Sequence, residues 1–187
     1  YFCPVIRLSV NINKIAWLRN ARGGNVPHVL DFARKAEEAG AEGITVHPRP
    51  DERHIKRSDV FELAKVVQTE FNIEGNPTPD FLDMVCEVKP HQCTLVPDDP
   101  NQLTSDHGWD TLKHRDFLLD TCQRLHDHGI RVSIFMDGRP DLVESAARTQ
   151  TDRIELYTGP YAAHWTDPKA LQPYVETAQA AAQAGLG

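Results

Sequence analysis

These 187 residues lack long apolar runs, cysteines at metal-binding spacing, surplus basic charge and a short glycine-rich phosphate loop. Each absence closes off a class of protein. The four cysteines, Cys3, Cys86, Cys93 and Cys122, form no CxxC pair and no zinc-finger spacing. Cys86 and Cys93 lie in or beside apolar stretches and read as core thiols, and a reducing cytoplasm is the simplest compartment. No apolar run approaches the roughly twenty residues that span a bilayer. The opening "YFCPVIRL" is too short for a secretory core and reads as the lead-in to a first strand. Lys and Arg number 20 against 27 Asp and Glu, a net charge of −7. That balance argues against a general nucleic-acid binder, whose phosphate contacts need clustered basic residues. A small phosphorylated ligand remains possible, because it needs only a local basic pocket.

What is present is an alternation. Strand candidates are 5–11, 43–47, 71–74, 92–97, 130–137 and 153–158. Between them run helical stretches with apolar residues three and four apart, such as Val60, Leu63 and Val67, or Leu118, Cys122 and Leu125. Thr78 before Pro79 and Asp167 before Pro168 are helix-start signals, a capping oxygen ahead of a proline at the first helical position. "EEAGAEGITVH" and "LHDHGIRVSIF" both read as a helix end, a glycine and a buried strand, and the final "AAQAGLG" repeats the helix end and the glycine. A seventh strand is expected to follow there.

Repeated βα units imply a parallel sheet clothed in helices. An open doubly wound sheet and a TIM (β/α)8 barrel both satisfy that pattern. Six units of roughly 31 residues extrapolate to about 250 for eight, the usual barrel length. A doubly wound nucleotide binder would carry GxGxxG after its first strand, where this chain has "NINKIAWLRNARGGN". The barrel is favoured, with residues 1–187 expected to form one domain holding about six of its βα units and lacking strands seven and eight.

In a barrel, chemistry gathers at the C-terminal ends of the strands. Those ends carry Asn11, then His47 with Arg49, Glu74, Asp98 with Thr104, Asp137, and Glu155 with Thr158. Any one of them could be a cap or a solvated loop charge, but their repetition along one face suggests a site. In "GITVHPRPDERHI" an apolar strand ends in His47, Arg49, Arg53 and His54, stiffened by Pro48 and Pro50. A histidine can exchange protons near neutrality, and an arginine presents a fork suited to phosphate or carboxylate. Asp51 and Glu52 could equally pair with these arginines. For Glu74, burial would raise the pKa toward that of a general base, whereas a salt bridge would lower it. Gly75 next to it is expected to let a substrate approach the backbone. No metal is expected. The first strand lacks a His-x-His pair, and His126 and His128, which have that spacing, fall at the opposite rim. His28, His91, His114 and His164 read as surface residues.

The blocks "VNINKIAWLRNARGGNVP", "GITVHPRPDERHI", "FNIEG", "LVPD" with "LTSDHGWD", "GIRVSIFMD" and "RIELYTGPYA" resemble, in order, those of the pyridoxine 5′-phosphate synthase family. The resemblance covers nearly the whole chain. It implies a cytoplasmic homo-octamer of (β/α)8 barrels, a transferase without metal or redox cofactor. The reaction it implies joins 3-amino-2-oxopropyl phosphate to 1-deoxy-D-xylulose 5-phosphate, giving pyridoxine 5′-phosphate, phosphate and water. By position, His47 and Glu74 match proton acceptors, and Asn11 and Arg22 match contacts to the amino-oxopropyl phosphate. Asn13, Lys14, Arg49, His54 and Thr104 match contacts to the deoxyxylulose phosphate, and Glu155 faces the site. The run "DDPNQLTSDHGWD" is expected to belong to a lid. Two departures stand out. Many relatives carry Asp–His at the position of Asn13–Lys14, and the family's third catalytic histidine, in an "NAGH"-like block, has no counterpart here. The 187 residues alone are therefore expected to be inactive. An inert, barrel-derived binding or structural protein is the alternative.

Overall fold

A computed structural model describes residues 6–99, 102 and 104–187. Six strands alternate with helices, as the spacing requires. In chain order they are β1 (Ser9–Asn11), α1 (Asn13–Ala21), α2 (Val29–Glu38), β2 (Gly43–Val46), α3 (Arg57–Val66), β3 (Glu70–Gly75), α4 (Pro79–Val88) and β4 (Gln92–Leu95). They continue with α5 (Arg115–His126), β5 (Arg131–Met136), α6 (Val143–Arg148), β6 (Arg153–Leu156), α7 (Gly159–Ala163) and α8 (Gln172–Gln183). Short 3-10 turns at Pro140–Leu142 and Pro168–Leu171 precede α6 and α8. Residue 5, where the first strand was expected to begin, lies outside the described residues.

The chain divides into two compact units, residues 1–74 with 87–92, and residues 75–86 with 93–187. In the first, β1, β2 and β3 are neighbours in that order and run parallel, with Ser9 opposite Gly43 and Gly43 opposite Glu70. Gly43 is required by this packing. A Cβ there would sit 2.9 Å from the Ser9 hydroxyl and 3.2 Å from the Glu70 carbonyl oxygen. The apolar stripes of α1, α2 and α3 close over this sheet with Ile12, Ala16, Val29, Ala33, Val60 and Leu63 buried, together with strand residues Ile44, Val46 and Ile73. A polar ladder also runs through it. Ser9 bonds Thr45 (2.8 Å), Asn72 donates to Thr45 (3.3 Å), and Gln92 donates to Asn72 (3.3 Å), so the buried Thr45, Asn72 and Gln92 find partners within the ladder.

In the second unit β4, β5 and β6 again follow chain order, with β5 parallel to β6 and Ser133 opposite Arg153. Leu118, Cys122 and Leu125 of α5 are buried, as their spacing anticipates. Met136, Leu142, Val143, Ala146 and Ala181 form a second apolar cluster beneath Ile154 and Leu156. Arrangement and class agree with expectation: an α/β fold of the TIM-barrel family, with six parallel strands alternating with helices.

The helix punctuation is also as read. Gly40, Gly129 and Gly185 all have positive φ (103°, 75° and 78°). After each, the next N–H bonds the carbonyl five residues back: Ala41 to Ala36, Ile130 to Leu125 and Leu186 to Ala181. That is the paired hydrogen bonding of a glycine helix stop. Thr78 caps α4 by accepting from the Phe81 N–H (3.4 Å), and Asp167 accepts from Lys169 (2.9 Å). Beyond the third glycine, Gly187 donates to the Asp152 carbonyl (3.0 Å) and accepts from Ile154 (3.1 Å), the pairing that a strand beside β6 makes.

Candidate active site

The first unit gathers most of the expected residues at the C-terminal ends of its strands. β1 leaves Asn11 at its end, and the Asn11 side chain accepts from the Asn13 N–H (3.0 Å), turning the chain into α1. Asn13 in turn accepts from the His47 backbone N–H (2.8 Å) and so fixes the end of β2.

His47 follows β2 and is 7% exposed, and Arg49 two residues on is 6% exposed. Glu74, near the end of β3, brings Oε2 to 4.0 Å from His47 Nδ1. That is longer than a hydrogen bond, so any proton passing between the two groups needs a bridging atom. His54 stacks edge-on, its ring centroid 6.1 Å from that of His47. His54 Nδ1 accepts from the Ile55 N–H (2.9 Å), which places the ring proton on Nε2.

The electrostatics correct one expectation. Burial first, then the positive charges of Arg49, His54 and Arg53, pull the His47 pKa down to about 3. Burial, Arg49, Arg53 and Lys14 likewise lower that of His54 to about 4, with Asp51 opposing them. Both rings are therefore neutral at pH 7, and His47 is not the group near 6.5 that its residue type suggests. Asp51 pairs with Arg53 (2.7 Å), as the sequence allowed, while Glu52 accepts from the Arg57 N–H (2.8 Å) instead of pairing with an arginine side chain through that bond.

Lys14 is exposed within electrostatic reach of His54. Arg22 caps the end of α1 through its backbone and is exposed. Thr104 and Glu155 belong to the second unit. Thr104 is exposed, with its carbonyl accepting from Gln102 (2.9 Å). Glu155 in β6 has its pKa raised by burial, opposed by a hydrogen bond from Thr94. Gly75 has a packing role: a Cβ there would clash with the Phe81 ring, so the absent side chain makes room for a phenylalanine of the same unit. Of the expected lid, residues 100, 101 and 103 lie outside the described residues. His126 bonds Asp152 (2.9 Å) and His128 bonds the Arg124 carbonyl (2.9 Å) at the N-terminal side of β5. His91 Nδ1 accepts from the Phe71 N–H (3.1 Å), so this exposed ring also has a structural task.

Sequence reasoning missed Arg19, Asn20 and Asp59. Arg19 and Asp59 are 4% and 6% exposed and form a two-armed ion pair (2.6 and 2.8 Å). The signal was available. Arg19 lies three residues beyond buried Ala16 on α1, and Asp59 four before buried Leu63 on α3, so each sits on an inward face.

Parallel strands ending in a buried histidine, a carboxylate and arginines have the arrangement in which α/β barrels gather polar groups at one end of the sheet. The family can be stated more closely. Residues 8–187 match the model of the pyridoxal phosphate biosynthesis protein PdxJ, and the chain belongs to that family. It is 57% identical to a pyridoxine 5′-phosphate synthase of Bacteroides fragilis strain YCH46 over 183 residues, covering 97% of this chain and 77% of the relative. Proteins of the same name from Christiangramia forsetii and Porphyromonas gingivalis are also 57% identical over the same shares. Among solved structures, a mandelate oxidase variant superposes with a TM-score of 0.62 at 15% identity, over 96% of this chain and 60% of that one. A flavocytochrome b2 variant gives 0.59 at 16% identity, over 96% of this chain and 50% of the other. At such identities the likeness is one of fold alone.

Proposed function

We propose that this protein is a pyridoxine 5′-phosphate synthase, a transferase that condenses 3-amino-2-oxopropyl phosphate with 1-deoxy-D-xylulose 5-phosphate. The products are pyridoxine 5′-phosphate, inorganic phosphate and water. The observation that carries the reading is the 4.0 Å approach of His47 to Glu74 beside buried Arg49 and half-buried His54. Joining two carbon skeletons, losing water and closing a pyridine ring moves a proton at every step. A neutral imidazole and a carboxylate with different proton affinities can share that work.

The depressed pKa of His47 fits this chemistry. In the free protein, cationic neighbours keep the ring unprotonated and ready to accept. A bound phosphate dianion offsets Arg49 and Arg53, so the His47 pKa rises when substrate arrives and the base strengthens where it is needed. In this reading the Nε2–H of His54, with Arg49, Asn13 and Lys14, receives the deoxyxylulose phosphate. Asn11 and Arg22 receive the amino-oxopropyl phosphate. No metal or redox cofactor takes part. The protein works in the cytoplasm as a homo-octamer. A buried histidine of lowered pKa beside a carboxylate favours catalysis over an inert scaffold, which would have no use for one.

Because the relatives extend beyond the matched stretch, the assay is run on the complete product of the gene encoding this sequence. Incubated with both phosphorylated substrates, it is expected to release one inorganic phosphate per pyridoxine 5′-phosphate. Absence of product with both substrates present, or activity lost to a chelator and restored by zinc, would contradict the proposal.

A further inference from the structure

The segment carrying His54 is held by a clamp that no expectation from the sequence assigned. Arg19 uses two nitrogens on the Asp59 carboxylate, and its NH2 also donates to the His54 carbonyl (3.2 Å). Asn20, the next residue of α1, donates to the same carbonyl (2.8 Å) and to that of Glu52 (3.1 Å). Asp59 accepts in addition from the Lys56 N–H (2.8 Å), just before α3. Two consecutive residues of α1 and one of α3 therefore seize three backbone groups within 52–56. Glu52 there has a φ of +52°, a conformation that side-chain-bearing residues adopt only when their surroundings impose it.

Burying such a charged pair has to be justified by something besides stability. Taking both ions out of water offsets most of their mutual attraction, and apolar replacements of buried pairs are often no less stable. What a forked guanidinium adds is geometry, because its donors point in fixed directions. Here those directions run to a carboxylate and to the carbonyl of His54 itself.

We propose that Arg19, Asn20 and Asp59 are positioning residues that lock the His54 segment so that the His54 Nε2–H and the neighbouring arginines meet the phosphate of the ketose substrate. None of the three is placed to touch substrate. The inference rests on the proposed synthase reading for the identity of that ligand, though the clamp itself does not.

Asn20→Ala is the variant least able to disturb folding, since it removes two donors from a half-buried side chain. Arg19→Lys keeps a charge opposite Asp59 but cannot span both partners. The double variant Arg19→Met with Asp59→Asn leaves no unpaired buried charge and keeps an acceptor for Lys56. In all three, KM for 1-deoxy-D-xylulose 5-phosphate is expected to rise about tenfold or more, the change that accompanies loss of one hydrogen bond to a charged group. The turnover number and KM for the amino-oxopropyl phosphate should move far less. Nitrogen-15 NMR should show one His54 tautomer, protonated at Nε2, in the parent protein and a mixture of both in the variants. A purely structural clamp would lower the melting temperature while leaving KM and the tautomer unchanged, and that result would overturn the proposal. The NMR signature needs no turnover. Altered tautomers in a protein that makes no product would sink the synthase reading and keep the clamp.

Discussion

Two pairs of histidines sit at opposite ends of the strands and behave as different chemical species. His47 and His54 follow β2 at its C-terminal end, packed among Arg49, Arg53 and Lys14, with their pKa values drawn down to about 3 and 4. His126 and His128 precede β5 at its N-terminal end. There the first is paired with the Asp152 carboxylate and the second with the Arg124 carbonyl. The spacing HxH at 126–128 looks more like a site in the sequence than the seven residues between His47 and His54. The comparison teaches that the end of the strand matters more than the spacing. At the C-terminal end, burial and nearby cationic side chains leave a buried and a half-buried ring neutral. At the other, a carboxylate and a carbonyl tie the rings down as structure.

The largest expected effect breaks the comparison outright. His47→Asn and Glu74→Gln should each lower the turnover number by about 10²- to 10⁴-fold, the usual contribution of a general acid–base group. His128→Asn should leave it within the error of the assay. Steady-state kinetics on the complete gene product decides this. Near-normal turnover in His47→Asn would return His47 to a structural role.

Arg49→Ala should come next. After burial, the Arg49 charge is the largest influence lowering the His47 pKa, and the variant removes it. KM for the deoxyxylulose phosphate is expected to rise about ten- to a hundredfold, as for a lost charge-assisted hydrogen bond, with a smaller change in turnover. The His47 pKa should rise above 3, because a repelling cation has gone. Histidine proton shifts followed against pH in the free protein test both rings at once.

Much of the fold could be read from the chain because it is encoded locally. The glycines at 40, 129 and 185, the capping Thr78 and the stripe Leu118–Cys122–Leu125 each depend on neighbours a few residues away. So does the pattern of polar groups ending apolar strands, which brought Asn11, His47 and Glu74 onto one list. What could not be read depends on partners distant in sequence. Arg19 meets Asp59 forty positions on, and Gly75 is reserved for the Phe81 ring. The protonation state of His47 was equally hidden, because burial and the charges of three side chains fix it together. Residue type alone suggested a group near neutrality.

A subtler test uses stability against pH. His47 and His54 have folded-state pKa values below the roughly 6.5 of an unfolded chain. Between about 3 and 6.5 the unfolded state therefore binds more protons, and their contribution to stability is lost as pH falls through that window. Denaturant melts from pH 7 down to 4 should show declining stability, with a shallower decline in His47→Asn. An unchanged slope in that variant would mean that His47 protonates readily in the folded protein, which its burial forbids.

The smallest effect belongs to the other pair. Asp152 accepts from His126 at 2.9 Å, but the same oxygen accepts from the Val132 N–H at 2.7 Å at the start of β5. The carboxylate is thus held in place without the imidazole, and its partly exposed position lets water replace the lost partner. His126→Ala should cost no more than about 1 kcal/mol, the usual ceiling for an exposed ion pair. Asp152→Ala should cost more, because it strands a strand-edge N–H that is bonded to it in the native protein. Urea melts of the two variants give the order directly. A loss from His126→Ala as large as that from Asp152→Ala would show that the histidine, rather than the backbone, orients this carboxylate. In that event the two pairs of histidines would be less different than their geometry says.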